Sequence, residues 1–116
     1  MKPQESAIDT PAPALDKDAI GLEDFLAAQR AGSIVIVDVR EASEFAAGHI
    51  PGALNVPLSA FDAQQLPVGK PIVLHCRSGA RSLKALHMAR AAGRQDIAHY
   101  AGGILGWQAA GGPIVR

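Results

Sequence analysis

Ile72-Val73-Leu74-His75-Cys76-Arg77-Ser78-Gly79-Ala80-Arg81-Ser82 runs from an unbroken apolar stretch into a loop of small and basic residues that holds the chain's single cysteine. An apolar run without polar alternation predicts a strand covered on both faces. Leu83 to Ala92, rich in helix formers and stopped by Gly93, predicts a helix directly after the loop. A strand, a loop and a helix in this order form the repeating unit of a parallel α/β sheet, where ligands bind beyond the carboxyl ends of the strands. Cys76 falls at such an end. A free cysteine is most often a small buried hydrophobe, but here the helix start supplies unpaired N–H groups and partial positive charge, and Arg77 and Arg81 add full charges. Lowering the thiol pKa from about 8.5 to about 6.5 would raise the thiolate fraction at pH 7 from about 3% to about 75%. His75 immediately precedes Cys76 on the strand, so its side chain points away from the loop and reads as structural.

The same pattern extends in both directions. Leu22, Phe25, Leu26 and Gln29 fall at helical spacing before Gly32, and the β-branched run Ile34 to Val37 predicts a strand entering Asp38. A short helix over Ala42 to Ala47, a turn at Gly48 to Gly52 and a strand over Ala53 to Val56 follow. Beyond the cysteine loop, a strand over Ile97 to Tyr100 and a helix over Ile104 to Ala110 complete the set. Residues 1–14 carry prolines at positions 3, 11 and 13 and no periodicity, so they read as a flexible arm ahead of a single domain over residues 15–116.

Composition narrows the function classes. At 116 residues the chain suits one domain, and 48% hydrophobic against 19% charged residues is enough for a packed core. No apolar run reaches the roughly 18–20 residues of a membrane span, and the first residues lack a secretory apolar stretch, so a soluble cytoplasmic protein is expected. One cysteine excludes an intramolecular disulfide and a multi-thiolate zinc site. Zero formal charge conceals a division: five basic residues oppose ten acidic ones up to His75, and from Cys76 onward six basic residues oppose Asp96 alone. With five aromatics and no dense basic run, a nucleic-acid surface is disfavoured, whereas a local site for a small anion is not.

Gly79 between Ser78 and Ala80 lets successive N–H groups turn inward around an anion, making a cradle built on a nucleophile. Val37-Asp38-Val39-Arg40-Glu41, Glu44-Phe45, Gly48-His49-Ile50-Pro51-Gly52-Ala53, Cys76 to Ser82 and Gly102-Gly103-Ile104-Leu105-Gly106-Trp107, taken in order, resemble a single-domain rhodanese from about Ala19 to Gly112. The resemblance implies a central, mainly parallel five-stranded sheet flanked by helices on both faces, and a six-residue active loop from Cys76 to Arg81. Protein phosphatases and arsenate reductases use a related cradle with one more residue between Cys and Arg. A smaller ring should suit a single terminal sulfur better than a tetrahedral oxyanion.

What the resemblance implies is a thiosulfate sulfurtransferase working by ping-pong through a Cys76 persulfide, with no metal or organic cofactor. The donor is a small anionic sulfur compound such as thiosulfate or a persulfide. The acceptor is cyanide, glutathione or a protein thiol, and a protein partner could stand on either side. Arg77, Ser78, Gly79, Ala80, Arg81 and Ser82 are expected to hold substrate and persulfide, Arg40 to line the site, and Asp38 to support it through an ion pair with an arginine. Ser82 reads as a helix-start residue whose hydroxyl caps a backbone donor. Glu44, His49 and Trp107 are assigned packing and turn roles. His75, His87 and His99, twelve residues apart, match no compact zinc pattern. A non-catalytic persulfide carrier and a phosphatase or arsenate reductase are the alternatives, and a small α/β domain of this kind is expected to stand as a monomer.

Overall fold

The computed structural model describes residues 18–116. The expected N-terminal arm lies outside the described residues. Four parallel strands, β1 (Val35–Asp38), β2 (Leu54–Asn55), β3 (Ile72–His75) and β4 (Ile97–His99), form one sheet in the order β2-β1-β3-β4. They alternate with helices α1 (Leu22–Ala31), α2 (Ala42–Ala47), α3 (Ala80–Ala91) and α4 (Gly103–Ala109). Two 3-10 turns, Leu58–Ala60 and Ala63–Gln65, bridge β2 to β3.

The expected fifth strand is a correction. Of the described residues before α1, which approach β4, only Ala19 forms a bridge, parallel to His99. Two hydrogen bonds flank it, His99 N–H to Asp18 O at 2.8 Å and Ile20 N–H to His99 O at 3.1 Å. Gly21 then caps α1, so the chain turns into a helix before a ladder can grow.

The missing polar alternation in the strands has its reason in two apolar layers. On one face Val37, Ile72, Leu74 and Ile97 pack with Ala85, Leu86 and Ala89 of α3 and with Phe61, Ala63 and Leu66. On the other, Ile36 and Val73 pack with Phe25 and Ala28 of α1, Trp107 of α4, Ile50 and Tyr100. Phe25 is the hub of this layer, its ring 4.8 Å from that of Tyr100 and edge-on to Trp107 at 5.3 Å. The Trp107 indole N–H donates to Pro113 O at 2.7 Å, which ties the C-terminal segment down.

Strand order places the site. After β1 the chain winds outward to β2, and after β3 it winds the other way to β4, so the order reverses between β1 and β3. A crevice therefore opens beyond their carboxyl ends. Asp38 and His75 are register partners at that edge, which brings Asp38, Arg40 and the Cys76 loop together.

Candidate active site

The loop begins where β3 stops. Gly79 has φ +108, a conformation that strains any side chain, and it reverses the chain so that α3 starts at Ala80, three residues earlier than its periodicity predicts. Ser82 therefore lies inside the first turn and does not cap it. Its hydroxyl donates to Gly79 O at 3.1 Å, while its backbone N–H, among those with no intrahelical acceptor, points at Cys76 Sγ at 3.4 Å. The Gly79 N–H donates to the same sulfur at 3.1 Å. Cys76 is only 1% exposed at the floor of this ring. Burial pushes its thiol pKa up, but the amides of Ser82, Gly79 and Ser78 and the Ser82 hydroxyl together carry it below the ordinary value. The lowering comes mainly from backbone dipoles.

The ring is turned inward from behind. The Ile104 N–H at the start of α4 donates to Cys76 O at 2.8 Å and the Leu105 N–H to Arg77 O at 3.3 Å. With these carbonyls drawn outward, the loop amides face the sulfur. Gly103, at φ +62, makes the approach possible: a Cβ there would stand against Arg77 O and within 2.7 Å of Cys76 O. Gly103→Ala is expected to destabilise the fold by roughly 1–3 kcal/mol, through backbone strain and a displaced loop. Thermal melting and the rate of Cys76 alkylation should both fall; an unaltered alkylation rate would show that α4 does not shape the ring.

The basic residues divide. Arg81 is gripped by Glu44, with Nη1 to Oε1 at 2.7 Å and Nη2 to Oε2 at 3.1 Å. The Arg81 hydrogen bond is the main reason the Glu44 carboxyl is held at about 2, against burial that opposes it. The pair is two-thirds buried, with side chains 34% and 33% exposed, and it fastens the end of the loop to α2. Glu44 also accepts from the Glu41 N–H at 3.1 Å in a capping box. A packing and turn role for Glu44 is therefore too narrow: it braces the Cys76 loop. Arg77 is exposed and makes no ion pair among the described residues.

Arg40 is 6% exposed and turned onto Asp38, which is fully buried. Its Nε lies 3.0 Å from both carboxylate oxygens and its Nη2 2.7 Å from Oδ2, while the backbone N–H of Arg40 donates to Oδ1 at 2.9 Å. Arg40 Nη2 also donates to Gly48 O at 2.7 Å, and Asn55 Nδ2 holds the carbonyls of Asp38 and Arg40. The arginine that pairs with Asp38 is thus its neighbour at 40, and the pair is a brace behind the loop; Arg40 is committed to it. His75 is fully buried, with Nδ1 3.2 Å from Cys76 O and Nε2 3.7 Å from Asp38 Oδ2 without a hydrogen-bond partner. Burial is the chief cause that pushes the imidazole pKa down, so the ring is neutral and structural.

His99 was legible only as part of an evenly spaced histidine series that matches no compact zinc pattern, yet its Nδ1 lies 2.9 Å from Ser82 Oγ behind the sulfur. Beside the loop, Arg81, Lys84 and Met88 of α3 face Leu58, Ser59 and Glu41 across a groove of about 430 Å³. Among the described residues no group of three or more His, Cys, Asp or Glu could hold a metal ion, and no helix is long and apolar enough to cross a membrane.

Residues 22–110 match the rhodanese-like domain. An uncharacterized protein of Synechocystis sp. is 45% identical over 86 residues, which cover 72% of this chain and 48% of that one. The thiosulfate:glutathione sulfurtransferase of Homo sapiens is 36% identical over 92 residues, 66% of this chain and 80% of that one. The chain spans about half the length of the first curated relatives it matches. Among solved structures, a rhodanese-related protein from Thermoplasma volcanium superposes with a TM-score of 0.76 at 28% identity, covering 85% of this chain and 98% of that one.

Proposed function

This chain belongs to the rhodanese-like family, and from that premise we propose that it moves a sulfane sulfur through a persulfide on Cys76. The observation that carries the reading is the pair of N–H groups, from Gly79 and Ser82, aimed at a sulfur whose pKa lies below that of an ordinary thiol. In the first half-reaction the Cys76 thiolate attacks the outer sulfur of a donor such as thiosulfate. The donor's S–S bond breaks, sulfite leaves with the electron pair, and Cys76 retains one added sulfur as an anionic persulfide. The N–H groups of Ala80 and Arg81, in the first turn of α3, have no intrahelical acceptor and donate to no other group among the described residues. They supply donors for the outer sulfur as an oxyanion hole does for developing charge.

In the second half-reaction a thiolate or cyanide attacks that outer sulfur, and the pair from the breaking S–S bond returns to Cys76. Arg77 draws in an anionic donor in this reading, which its exposure and its lack of an ion pair among the described residues support. The groove past Arg81 gives an acceptor's body a place to lie. A similar human protein named for transfer from thiosulfate to glutathione supports this choice of donor and of a low-molecular-weight thiol acceptor.

Intact-mass measurement tests the cycle. Thiosulfate should add one sulfur atom to the protein and cyanide should remove it, with thiocyanate released. Loading without turnover of small acceptors would favour a sulfur carrier that serves a protein partner. Failure to load, with rapid hydrolysis of an aryl phosphate, would overturn the sulfur reading in favour of a phosphatase.

A further inference from the structure

The Ser82 hydroxyl has one proton and three neighbours that compete for it. Gly79 O lies 3.1 Å away, His99 Nδ1 2.9 Å and Cys76 Sγ 3.7 Å. Gly79 O can only accept. The sulfur also accepts once it is a thiolate or a persulfide. His99 Nδ1 accepts in one neutral tautomer and donates in the other, as it does in the imidazolium. If Nδ1 accepts, the Ser82 proton is drawn toward the imidazole and away from sulfur. If Nδ1 donates, the Ser82 oxygen is already satisfied from behind, and its proton is left to Gly79 O and Sγ.

We propose that His99 is a positioning residue for Cys76: it donates its Nδ1–H to Ser82 Oγ and thereby keeps the Ser82 hydroxyl proton available to the sulfur anion. The inference deepens the persulfide reading, which needs an ionised sulfur at two stages of the cycle. His99 is suited to the task by its place in the fold. It ends β4, is 6% exposed, and its backbone is held on one side by Asp18 O and Ile20 N–H and on the other by the β3 ladder. Ser82 is fully buried on α3, so no bulk water competes at the contact. The charged and titratable groups acting on the imidazole are Asp18, from the segment that bridges β4, and His87 on α3; burial itself disfavours the imidazolium. A neutral ring with its proton on Nδ1 satisfies the geometry and leaves Nε2 as the acceptor.

The pH dependence of Cys76 alkylation by iodoacetamide reads the thiol directly, in the full chain and without any sulfur donor. Ser82→Ala and His99→Leu should each raise the apparent pKa, by roughly half to one unit for the loss of one hydrogen bond to the anion. In the double variant the shift should be no larger than in Ser82→Ala alone, because the imidazole acts through the hydroxyl. His99→Asn, whose Nδ2 can donate from nearly the same place, should keep the wild-type profile. An unchanged pKa in His99→Leu, or a shift that adds in full to that of Ser82→Ala, overturns the proposal. Nitrogen-15 NMR of the unmodified protein decides independently of any variant. A protonated Nδ1 on His99 is expected, and an unprotonated one rejects the assignment. Since neither measurement involves sulfur transfer, either can fail while thiosulfate still loads Cys76, and each can succeed where loading fails.

Discussion

Cys76→Ser should release no thiocyanate above background from thiosulfate and cyanide, a fall of about 10³-fold or more, because it removes the group on which the proposed persulfide forms. The fold should survive the change. A serine hydroxyl fits the floor of the loop and can accept from the Gly79 and Ser82 N–H groups that now face sulfur. Those donors lower the pKa of the thiol, whereas the same help leaves an alcohol protonated. The wild-type protein adds a second expectation with a definite sign. Cys76 has its pKa lowered in the folded state, so the thiosulfate half-reaction should hold its rate to a pH below the ordinary thiol value and decline only as the folded pKa is crossed from above. Persistent turnover in Cys76→Ser, measured by thiocyanate release, would falsify the persulfide reading; a rate limb at the pKa of a free thiol would show that the loop does not stabilise the anion.

Arg40→Met should destabilise the domain by about 3–5 kcal/mol, because it strands the fully buried Asp38 carboxylate without its guanidinium. Four hydrogen bonds join the two residues at 2.7–3.0 Å, and only the one from the Arg40 backbone N–H would remain. The cost lies in the unpaired charge rather than in the pair's own worth. Asp38→Leu combined with Arg40→Met should therefore recover much of the loss, as apolar replacements of buried pairs do. Urea denaturation of the two variants measures both steps. Equal losses in the single and double variants would mean that the pair shapes the crevice through its geometry and not through charge neutralisation. If Arg40→Met proves as stable as wild type, the pair is not a structural brace and a direct substrate role for Arg40 is reopened.

How far each feature could be read from the chain depends on how local its cause is. The β3 strand and the loop that follows were legible because apolar run, thiol, glycine and basic residues are contiguous. The start of α3 was displaced by three residues because the positive φ of Gly79 allows a sharper turn than hydrophobic periodicity reveals. That displacement puts Ser82 inside the first turn rather than at its cap, with its backbone N–H toward the sulfur. The fifth strand implied by the resemblance is not among the described residues: beyond β4 they hold the Ala19 bridge, after which Gly21 and the helix turn the chain away.

The charges show the same boundary. Arg77 and Arg81 sit near Cys76 in the chain, so both read as groups that would stabilise its anion; in space Arg81 is drawn onto Glu44, 37 positions away. Asp38 with Arg40 was half legible, since an ion pair was expected but its partner was not assigned. Glu44 stood in a motif and His99 in a histidine series, but the contact that gives each its role is made across the fold.

The chain by itself determined the parallel α/β architecture and the place of its thiol between strand and helix, because both depend on neighbours in sequence. Only the tertiary structure decided what surrounds that sulfur: which N–H groups turn toward it, which guanidinium is spent on a carboxylate, and which imidazole stands behind Ser82. Hydrogen bonds and ion pairs act over about 3 Å, and residues widely separated along the chain come that close only after the sheet has aligned its strand ends.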